Sequence, residues 1–281
     1  MALSSAIAAA VRIARPHLWT YTLGAAFLAA LVASGNLATL AASPDLAWFA
    51  LWLTVPAGWL IYGLNDAFDA EADVGNVRKR GVERSRPFGR KATLGLAALA
   101  AALYLPLAAR LPWVTSAAVA VAAISTYLYS APPLRAKGIP VLDGLLYLAP
   151  PSFAAAGYAA VTGQLLPWPA LALAWAFSFA MHLFSASVDV EADRAAGIRT
   201  VSVWLGDPRR SVRSAATLCW VVAALAWGGA PAFALAAAAY ATFFSAAYAA
   251  SALPGFSYLR WYGAFVALHF PVGFALTVGA F

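Results

Sequence analysis

The sequence predicts an all-α integral membrane protein with about nine transmembrane helices. Of its 281 residues, 63% are hydrophobic and only 10% are charged, and the mean hydropathy is +0.77. Soluble domains carry about one-quarter charged residues, so this composition excludes an ordinary cytosolic enzyme and a disordered protein. The apolar residues also come in long segments, and about 20 of them in a helix cross the hydrocarbon core of a bilayer.

Nine apolar segments follow one another along the chain, and prolines or glycines mark several of the joints between them. They run over residues 18–41, 46–66, 92–110, 112–130, 141–161, 168–188, 214–229, 231–252 and 260–280. We expect residues 1–281 to form a single transmembrane domain.

The basic residues predict how these segments are oriented. Nine spans place 17 of the 18 Lys and Arg residues on one side of the membrane, with Arg110 on the other. Cytoplasmic loops carry the Lys and Arg excess. We therefore expect the chain to lie in the cell (inner) membrane, with its N-terminus in the cytoplasm and its C-terminus outside. The formal net charge of +7 then mainly reflects the orientation of the chain in the membrane. It fits contact with membrane lipid and argues against nucleic-acid binding.

Polar residues cluster at the cytoplasmic ends of the second and sixth spans. Residues 65–73 read NDAFDAEAD and residues 189–193 read DVEAD. In a helix, residues three, four and seven apart share a face. The first cluster therefore places four side chains within an arc of roughly 100°: Asn65, Asp66, Asp69 and Asp73. The second places Asp189 and Asp193 on one face, with Glu191 opposite.

Converging carboxylates of this kind indicate a bound cation. Oxygen ligands without Cys or His suit Mg²⁺ or another hard divalent ion. Mg²⁺ keeps waters or phosphates in its shell, so the expected partner is a phosphorylated substrate. Basic residues beyond each cluster are available for the remaining phosphate oxygens, namely Arg78, Lys79, Arg194 and Arg199. Metal, basic residues and phosphate together stabilise a departing diphosphate, as the ionisation of an allylic diphosphate requires.

Other interpretations stay open at this stage. Acids at helix ends also occur as solvated caps, and we expect this of Glu71, Glu83, Glu191 and Asp207. The rival class is a cation-coupled transporter, which favours carboxylates near the middle of the bilayer and interrupted helices. Asp143 and His182 are candidate bases, and His182 is also a candidate for an interhelical hydrogen bond.

Four segments resemble the UbiA superfamily of intramembrane prenyltransferases. They occur in the expected order: RPHLW at 15–19, N-D-x-x-D-x-x-x-D at 65–73, YSAPPLRAKGIP at 129–140 and DVEADRAAGIRTVSVWLG at 189–206. The resemblance implies a helical bundle around a central cavity, open laterally to lipid and capped by cytoplasmic loops. It also implies two Mg²⁺ ions between the aspartate motifs and the diphosphate of an allylic prenyl donor, together with a hydrophobic acceptor.

The resemblance also implies the roles of individual residues. The metal ligands are Asn65, Asp66, Asp69, Asp73, Asp189 and Asp193, and the catalytic residues among them are Asp69, Asp73, Asp189 and Asp193. Three residues match the loop motif associated with diphosphate binding: Tyr129, Arg135 and Lys137. They join Asn65, Arg78, Lys79 and Arg194 as the expected diphosphate-binding residues.

A narrower resemblance concerns the segment DAEADVGNVRKRGVE at 69–83. It is similar to the D-x-x-x-D-x-x-N-P-R-K-G-G pattern of the lycopene elongases, which add C5 units at carotenoid ends. Asn76, Arg78 and Lys79 match, whereas Val77 and Arg80 replace the proline and the first glycine. The implied reaction is C5 addition from dimethylallyl diphosphate to lycopene or a related carotenoid. Prenylation of an aromatic quinone precursor or a similar ring is the alternative within this enzyme class.

Overall fold

The structure, a computed structural model, describes residues 3–69, 78 and 89–279. Within these ranges it is helical and contains no β-strand, which confirms the predicted all-α fold class. The α-helices, in chain order, are α1 Leu3–Ile13, α2 Leu23–Ser34, α3 Leu37–Ala41, α4 Pro44–Trp52, α5 Val55–Gly58, α6 Leu64–Asp69, α7 Arg90–Ala108, α8 Trp113–Ser130, α9 Leu142–Leu145, α10 Ala149–Thr162, α11 Trp168–Ser187, α12 Val190–Ala195, α13 Val201–Trp204, α14 Pro208–Ala226, α15 Pro231–Ala250 and α16 Tyr258–Gly279.

Seven helical segments of the described chain are long and apolar enough to cross a membrane. They are Ala6–Ser34, Pro44–Asp69, Arg90–Ala108, Trp113–Ser130, Leu142–Thr162, Trp168–Ser187 and Pro231–Ala250. The chain is therefore an integral membrane protein. Helices α14 and α16, of 19 and 22 residues, lie where the sequence predicts the seventh and ninth spans but are not among these seven. The count of nine spans stays a prediction.

Helix ends follow the local sequence. Ser43 and Asp207 each precede a proline at the first helical position, and their side chains accept hydrogen bonds from the first-turn amides of α4 and α14. Such caps satisfy amide groups that have no partner within the helix. Gly35 and Gly163 end α2 and α10 in the left-handed conformation, which costs glycine little because it has no Cβ.

Small residues let the helices approach closely. Gly157 of α10 lies against the backbone of Ala26 in α2, so that a Cβ there would overlap the Ala26 carbonyl. Gly58 of α5 lies in the same way against Ala14. Because membrane helices associate by close van der Waals packing, these contacts hold α2 against α10 and α5 against the residue that follows α1. Aromatic rings of α11, α15 and α16 pack together in the core, including Phe184, Phe244 and Phe265.

The chain next to each polar cluster departs from a continuous α-helix. Before the first cluster, residues Trp59–Gly63 are π-helical, and the described part of α6 ends at Asp69. The continuation of that helix towards Asp73 lies outside the described residues. Before the second, α11 ends at Ser187 and α12 begins at Val190, so the chain turns at Asp189.

Candidate active site

The two clusters meet at one cavity, which is formed where several helix ends come together. Its polar wall includes Arg15, Asn65, Asp69, Arg78, Ser130, Lys137, His182, Asp189, Asp193 and Thr200. Its remaining wall is largely aromatic and apolar, with Tyr21, Tyr62, Tyr129, Tyr147, Tyr262, Leu18, Ile61, Leu146, Leu148 and Ile198. A cavity with a charged end and an apolar body suits a substrate that has a polar head and a hydrocarbon tail.

Asn65 and Asp69 bring the end of α6 to the cavity. They are four residues apart and share a helix face, and the amide of Asn65 donates to Asp69 Oδ2 at 2.8 Å. The same amide lies 3.2 Å from the Ser130 hydroxyl, which joins α6 to the end of α8. Asp69 is only 3% exposed, so its carboxylate requires partners to remain charged.

The loop after α8 supplies those partners. Lys137 is buried and forms an ion pair with Asp69 Oδ1. The guanidinium of Arg135 is half-exposed, and its Nη2 lies 3.9 Å from the same carboxylate oxygen. Arg135 has a φ of +43°, a conformation uncommon for residues other than glycine. It precedes the 3₁₀ turn Ala136–Gly138 that carries Lys137.

Asp66 differs from its neighbours in the first motif. It accepts a hydrogen bond from Arg15 Nη2 at 2.6 Å and is not among the residues that line the cavity. Successive residues of a helix point about 100° apart, so Asp66 cannot face the same way as Asn65. Arg15, which lies over the ring of Tyr62 at 5.0 Å, reaches the cavity instead.

Asp189 lies at the turn between α11 and α12 and is 6% exposed. Arg78 binds it through Nη2 at 2.6 Å and Nε at 3.1 Å. The guanidinium also lies over the ring of Tyr262, at 5.3 Å from its centroid. A two-point contact of this kind is strong and fixes the orientation of both groups.

Asp193 completes the acidic part of the wall. Its amide donates to the carbonyl of Asp189 at 2.8 Å, so the two residues keep helical spacing despite the turn, and both line the cavity. The hydroxyl of Thr200 donates to Asp193 Oδ2 at 3.4 Å. Burial and, secondly, the neighbouring Asp189 carboxylate raise the pKa of Asp193 to about 7, whereas Arg78 and Lys137 act in the opposite direction.

The remaining predicted site residues have different positions. Tyr129 lines the cavity. Arg194 does not: its side chain is exposed and donates to the carbonyl of Gly206 at 3.4 Å. Asp73 and Lys79 lie outside the described residues.

The donors at the cavity fit a hard divalent cation. In the described part of the chain, no three His, Cys, Asp or Glu side chains lie close enough together to hold a metal ion. Mg²⁺ does not need such a group, because it binds one or two carboxylates and fills its shell with water and phosphate oxygens. The residues that would hold it are Asn65, Asp69, Asp189 and Asp193, all with oxygen donors at the cavity.

The structure also pairs two residues that the sequence suggests only separately. His182 of α11 and Asp143 of α9 form a hydrogen bond, with Nε2 and Oδ2 3.0 Å apart. Several wall residues have no role predicted from the sequence, among them Arg15, Tyr62, Tyr147, Thr200 and Tyr262. For Arg15, its place in the RPHLW segment is the available signal. The others carry no local signal, because distant parts of the chain bring them together.

Comparison with known proteins gives consistent matches. The model of a family described as the UbiA prenyltransferase family matches residues 18–267. A lycopene elongase/hydratase of Haloferax volcanii is 39% identical over 221 residues, which cover 76% of this chain and 70% of the relative. A digeranylgeranylglyceryl phosphate synthase of Natronomonas pharaonis is 34% identical over 197 residues, covering 69% of this chain and 67% of the relative.

Solved structures share the fold. A UbiA homolog from Archaeoglobus fulgidus bound to DMAPP and Mg²⁺ has a TM-score of 0.63 to this chain. The match covers 96% of this chain and 99% of that one, at 22% sequence identity. At this identity, the likeness is one of fold.

Proposed function

Because the chain belongs to the UbiA prenyltransferase family, we propose that it adds C5 units from dimethylallyl diphosphate to lycopene or a related carotenoid. The single observation that carries the chemistry is the cavity, which joins three carboxylates and the two basic residues paired with them to an aromatic, apolar body. The elongase relative at 39% identity supports the carotenoid acceptor. The UbiA homolog bound to DMAPP and Mg²⁺ supports the donor and the cation.

The polar end of the cavity is the proposed diphosphate site. Lys137 and Arg78 neutralise Asp69 and Asp189 in this structure, and both are positioned to bind phosphate oxygens. Bound at the cavity carboxylates, Mg²⁺ would supply positive charge that offsets the charge developing on the departing diphosphate. Arg135, which is half-exposed beside Asp69, is a further phosphate ligand in this proposal.

The body of the cavity is the proposed site of the allylic cation. When the C–O bond of the donor breaks, its electron pair leaves with the diphosphate and a positive charge remains on the prenyl carbons. Tyrosine rings line this part of the cavity, including Tyr62, Tyr129 and Tyr147. A desolvated cation over such a ring is stabilised by on the order of 2 kcal/mol. The apolar residues around the rings keep out water that would trap the cation.

The proposed topology places residues 1–281 as a single domain in the cell membrane, with the N-terminus and the active-site loops in the cytoplasm. The C-terminus then lies outside after nine spans. The one-sided distribution of the basic residues supports this orientation. Alkaline phosphatase fused to the C-terminus should be active, since that enzyme folds only outside the cytoplasm, and an inactive fusion in the membrane fraction would contradict the orientation.

Pigment analysis tests the proposed reaction. The protein is produced in a host that makes lycopene and dimethylallyl diphosphate, beside an Asp189→Asn variant as the inactive control. We expect products heavier than lycopene by one and two C5 units, with or without an added water, only with the wild type. Unchanged lycopene in the presence of intact, membrane-inserted protein would refute the carotenoid acceptor. Prenylation of an added aromatic quinone precursor in the same membranes would support the alternative.

A further inference from the structure

His182 and Asp143 form a buried pair at the wall of the cavity, deeper in the cavity than its charged end. We propose that His182 is the proton acceptor that ends the prenyl transfer, and that Asp143 is the residue that positions it. This inference rests on the proposed function, because it assigns a role within that reaction. His182 lines the cavity and is 6% exposed, whereas Asp143 lies behind it and is fully buried.

The hydrogen bonds determine which nitrogen of His182 carries the proton. Oδ2 of Asp143 lies 3.0 Å from Nε2 of His182 and also accepts from the amide of Val201 at 2.9 Å. A carboxylate only accepts, so Nε2 carries the hydrogen. The other ring nitrogen, Nδ1, then has a free lone pair, and it makes no hydrogen bond to any residue that the structure describes.

The local backbone fixes Asp143 in place. Val141, at the start of α9, has a φ of +72°, which is strained for a β-branched residue. Gly144 lies so close to the ring of Phe179 that a Cβ there would overlap the ring. Strained positions of this kind persist where the surrounding structure enforces them, and they cluster at functional sites. Here they hold a short helix whose one acidic side chain points at His182.

The depth of His182 in the cavity suits the end of the reaction. It lies five residues before Ser187, the last residue of α11, which is about 7.5 Å along a helix axis. Asp189 follows two residues after Ser187. A prenyl group whose diphosphate is held at Asp189 extends from the charged end into the cavity, towards the His182 ring. Tyr147 and Tyr129 flank that ring, with centroid distances of 5.0 and 6.2 Å.

Bonds, electron pairs and protons balance in the proposed step. The C=C pair of the acceptor forms the new C–C bond to the prenyl cation, which leaves a positive charge on an acceptor carbon. A neighbouring C–H bond breaks, its electron pair forms a new C=C bond, and the proton goes to Nδ1 of His182. If water instead attacks the cation, its oxygen forms the C–O bond and the released proton goes to the same nitrogen. The negative charge of Asp143 stabilises the imidazolium in both cases.

The experiment measures the two ends of the reaction separately in purified protein with dimethylallyl diphosphate, Mg²⁺ and lycopene. Diphosphate release reports ionisation of the donor, and prenylated carotenoid reports the completed transfer. In His182→Gln, we expect the ratio of carotenoid product to released diphosphate to fall about 100-fold. The KM for the donor should change less than about twofold, because the diphosphate site is intact. Asp143→Asn should lower the same ratio, by a smaller factor.

A matched control distinguishes loss of the proton acceptor from loss of a buried histidine. His269 is also buried, and its Nε2 lies 2.8 Å from the hydroxyl of Tyr21, but it does not line the cavity. We expect His269→Gln to keep the product ratio of the wild type. Added imidazole should raise the product ratio of His182→Ala, which a purely structural role of His182 does not predict.

Three results would each contradict a different part of the proposal. A wild-type product ratio in folded His182→Gln would overturn the role of His182 as the proton acceptor. If His182→Gln does not fold, Asp143→Asn decides, because a wild-type ratio in that variant excludes a positioning role. If the wild type releases diphosphate but leaves lycopene unchanged, the proposed acceptor is wrong. The ratio is then measured with the acceptor that the wild type does prenylate.

Discussion

The guanidinium of Arg78 contacts both carboxylate oxygens of Asp189, although the two residues are 111 positions apart in the chain. The same side chain lies within 3.4 Å of the hydroxyl of Tyr262. One residue therefore joins the segment after the second predicted span to the ends of α11 and α16. Since Asp189 is also a proposed metal ligand, this contact places the guanidinium of Arg78 directly beside the proposed metal site.

Replacement of Arg78 by lysine tests this contact. Lysine keeps the charge but has no planar fork, so it cannot contact Asp189 and a phosphate with the same geometry. We expect the KM for dimethylallyl diphosphate to rise about 10-fold, which corresponds to about 1.4 kcal/mol. The matched control is Arg110→Lys, because Arg110 also pairs with an aspartate but is 63% exposed. A donor KM that is unchanged in Arg78→Lys would contradict the proposed phosphate contact.

The cavity aspartates should be essential for turnover. Asp69→Asn and Asp189→Asn keep the side-chain size but remove the negative charge of the proposed Mg²⁺ ligands, so we expect kcat to fall roughly 100- to 1,000-fold. Glu191→Gln is the control, since Glu191 lies between the two cavity aspartates in sequence but is exposed. Diphosphate release at increasing Mg²⁺ concentrations measures both effects. Full activity in either aspartate variant would remove that residue from the metal site.

Lys137 should matter for stability as well as for activity. In Lys137→Met the buried carboxylate of Asp69 loses its closest cation, and breaking a buried ion pair in this way costs about 3–5 kcal/mol. We therefore expect a lower melting temperature in detergent. Mg²⁺ alone should restore more of that temperature than it adds to the wild type, because the cation replaces the missing positive charge beside Asp69.

Lys91 provides the comparison for this variant. It lies at the start of α7, is exposed and does not line the cavity. Lys91→Met removes the same charge and should leave the melting temperature within about 1 °C, as expected for surface substitutions of less than 0.5 kcal/mol. Equal melting temperatures for Lys137→Met and the wild type would show that Arg135 alone compensates Asp69.

Local patterns in the sequence predict the fold class and the core of the site. The spacing of Asn65 and Asp69, and that of Asp189 and Asp193, depends only on helical periodicity. These four residues do line one cavity. The family match confirms the resemblance that the same motifs carry.

The remaining features depend on contacts between distant parts of the chain. The pairing of Asp143 with His182 joins residues 39 positions apart, and that of Arg15 with Asp66 joins residues 51 apart. No periodic pattern contains such a pairing. Arg194 donates to the carbonyl of Gly206, 12 positions further along the chain, and the periodic pattern does not predict that contact either.

Close packing of α2 against α10 gives a prediction about the bundle itself. Gly157 is fully covered by the backbone of Ala26, and a Cβ at this position would overlap the Ala26 carbonyl and Cα. In Gly157→Ala neither helix can relieve the overlap by rotating a side chain, so the two helices must separate. Overpacking of this kind typically costs about 1–3 kcal/mol, and we expect a clearly lower melting temperature in detergent.

Gly95→Ala separates this packing effect from the intrinsic preferences of the two residues. Gly95 lies within α7, and a Cβ added there would meet no atom within 4 Å apart from its own helix. Alanine is favoured over glycine in a helix by about 0.5–1 kcal/mol, so this variant should melt at the same temperature as the wild type or higher. Equal melting temperatures of Gly157→Ala and Gly95→Ala would contradict the close packing of α2 against α10.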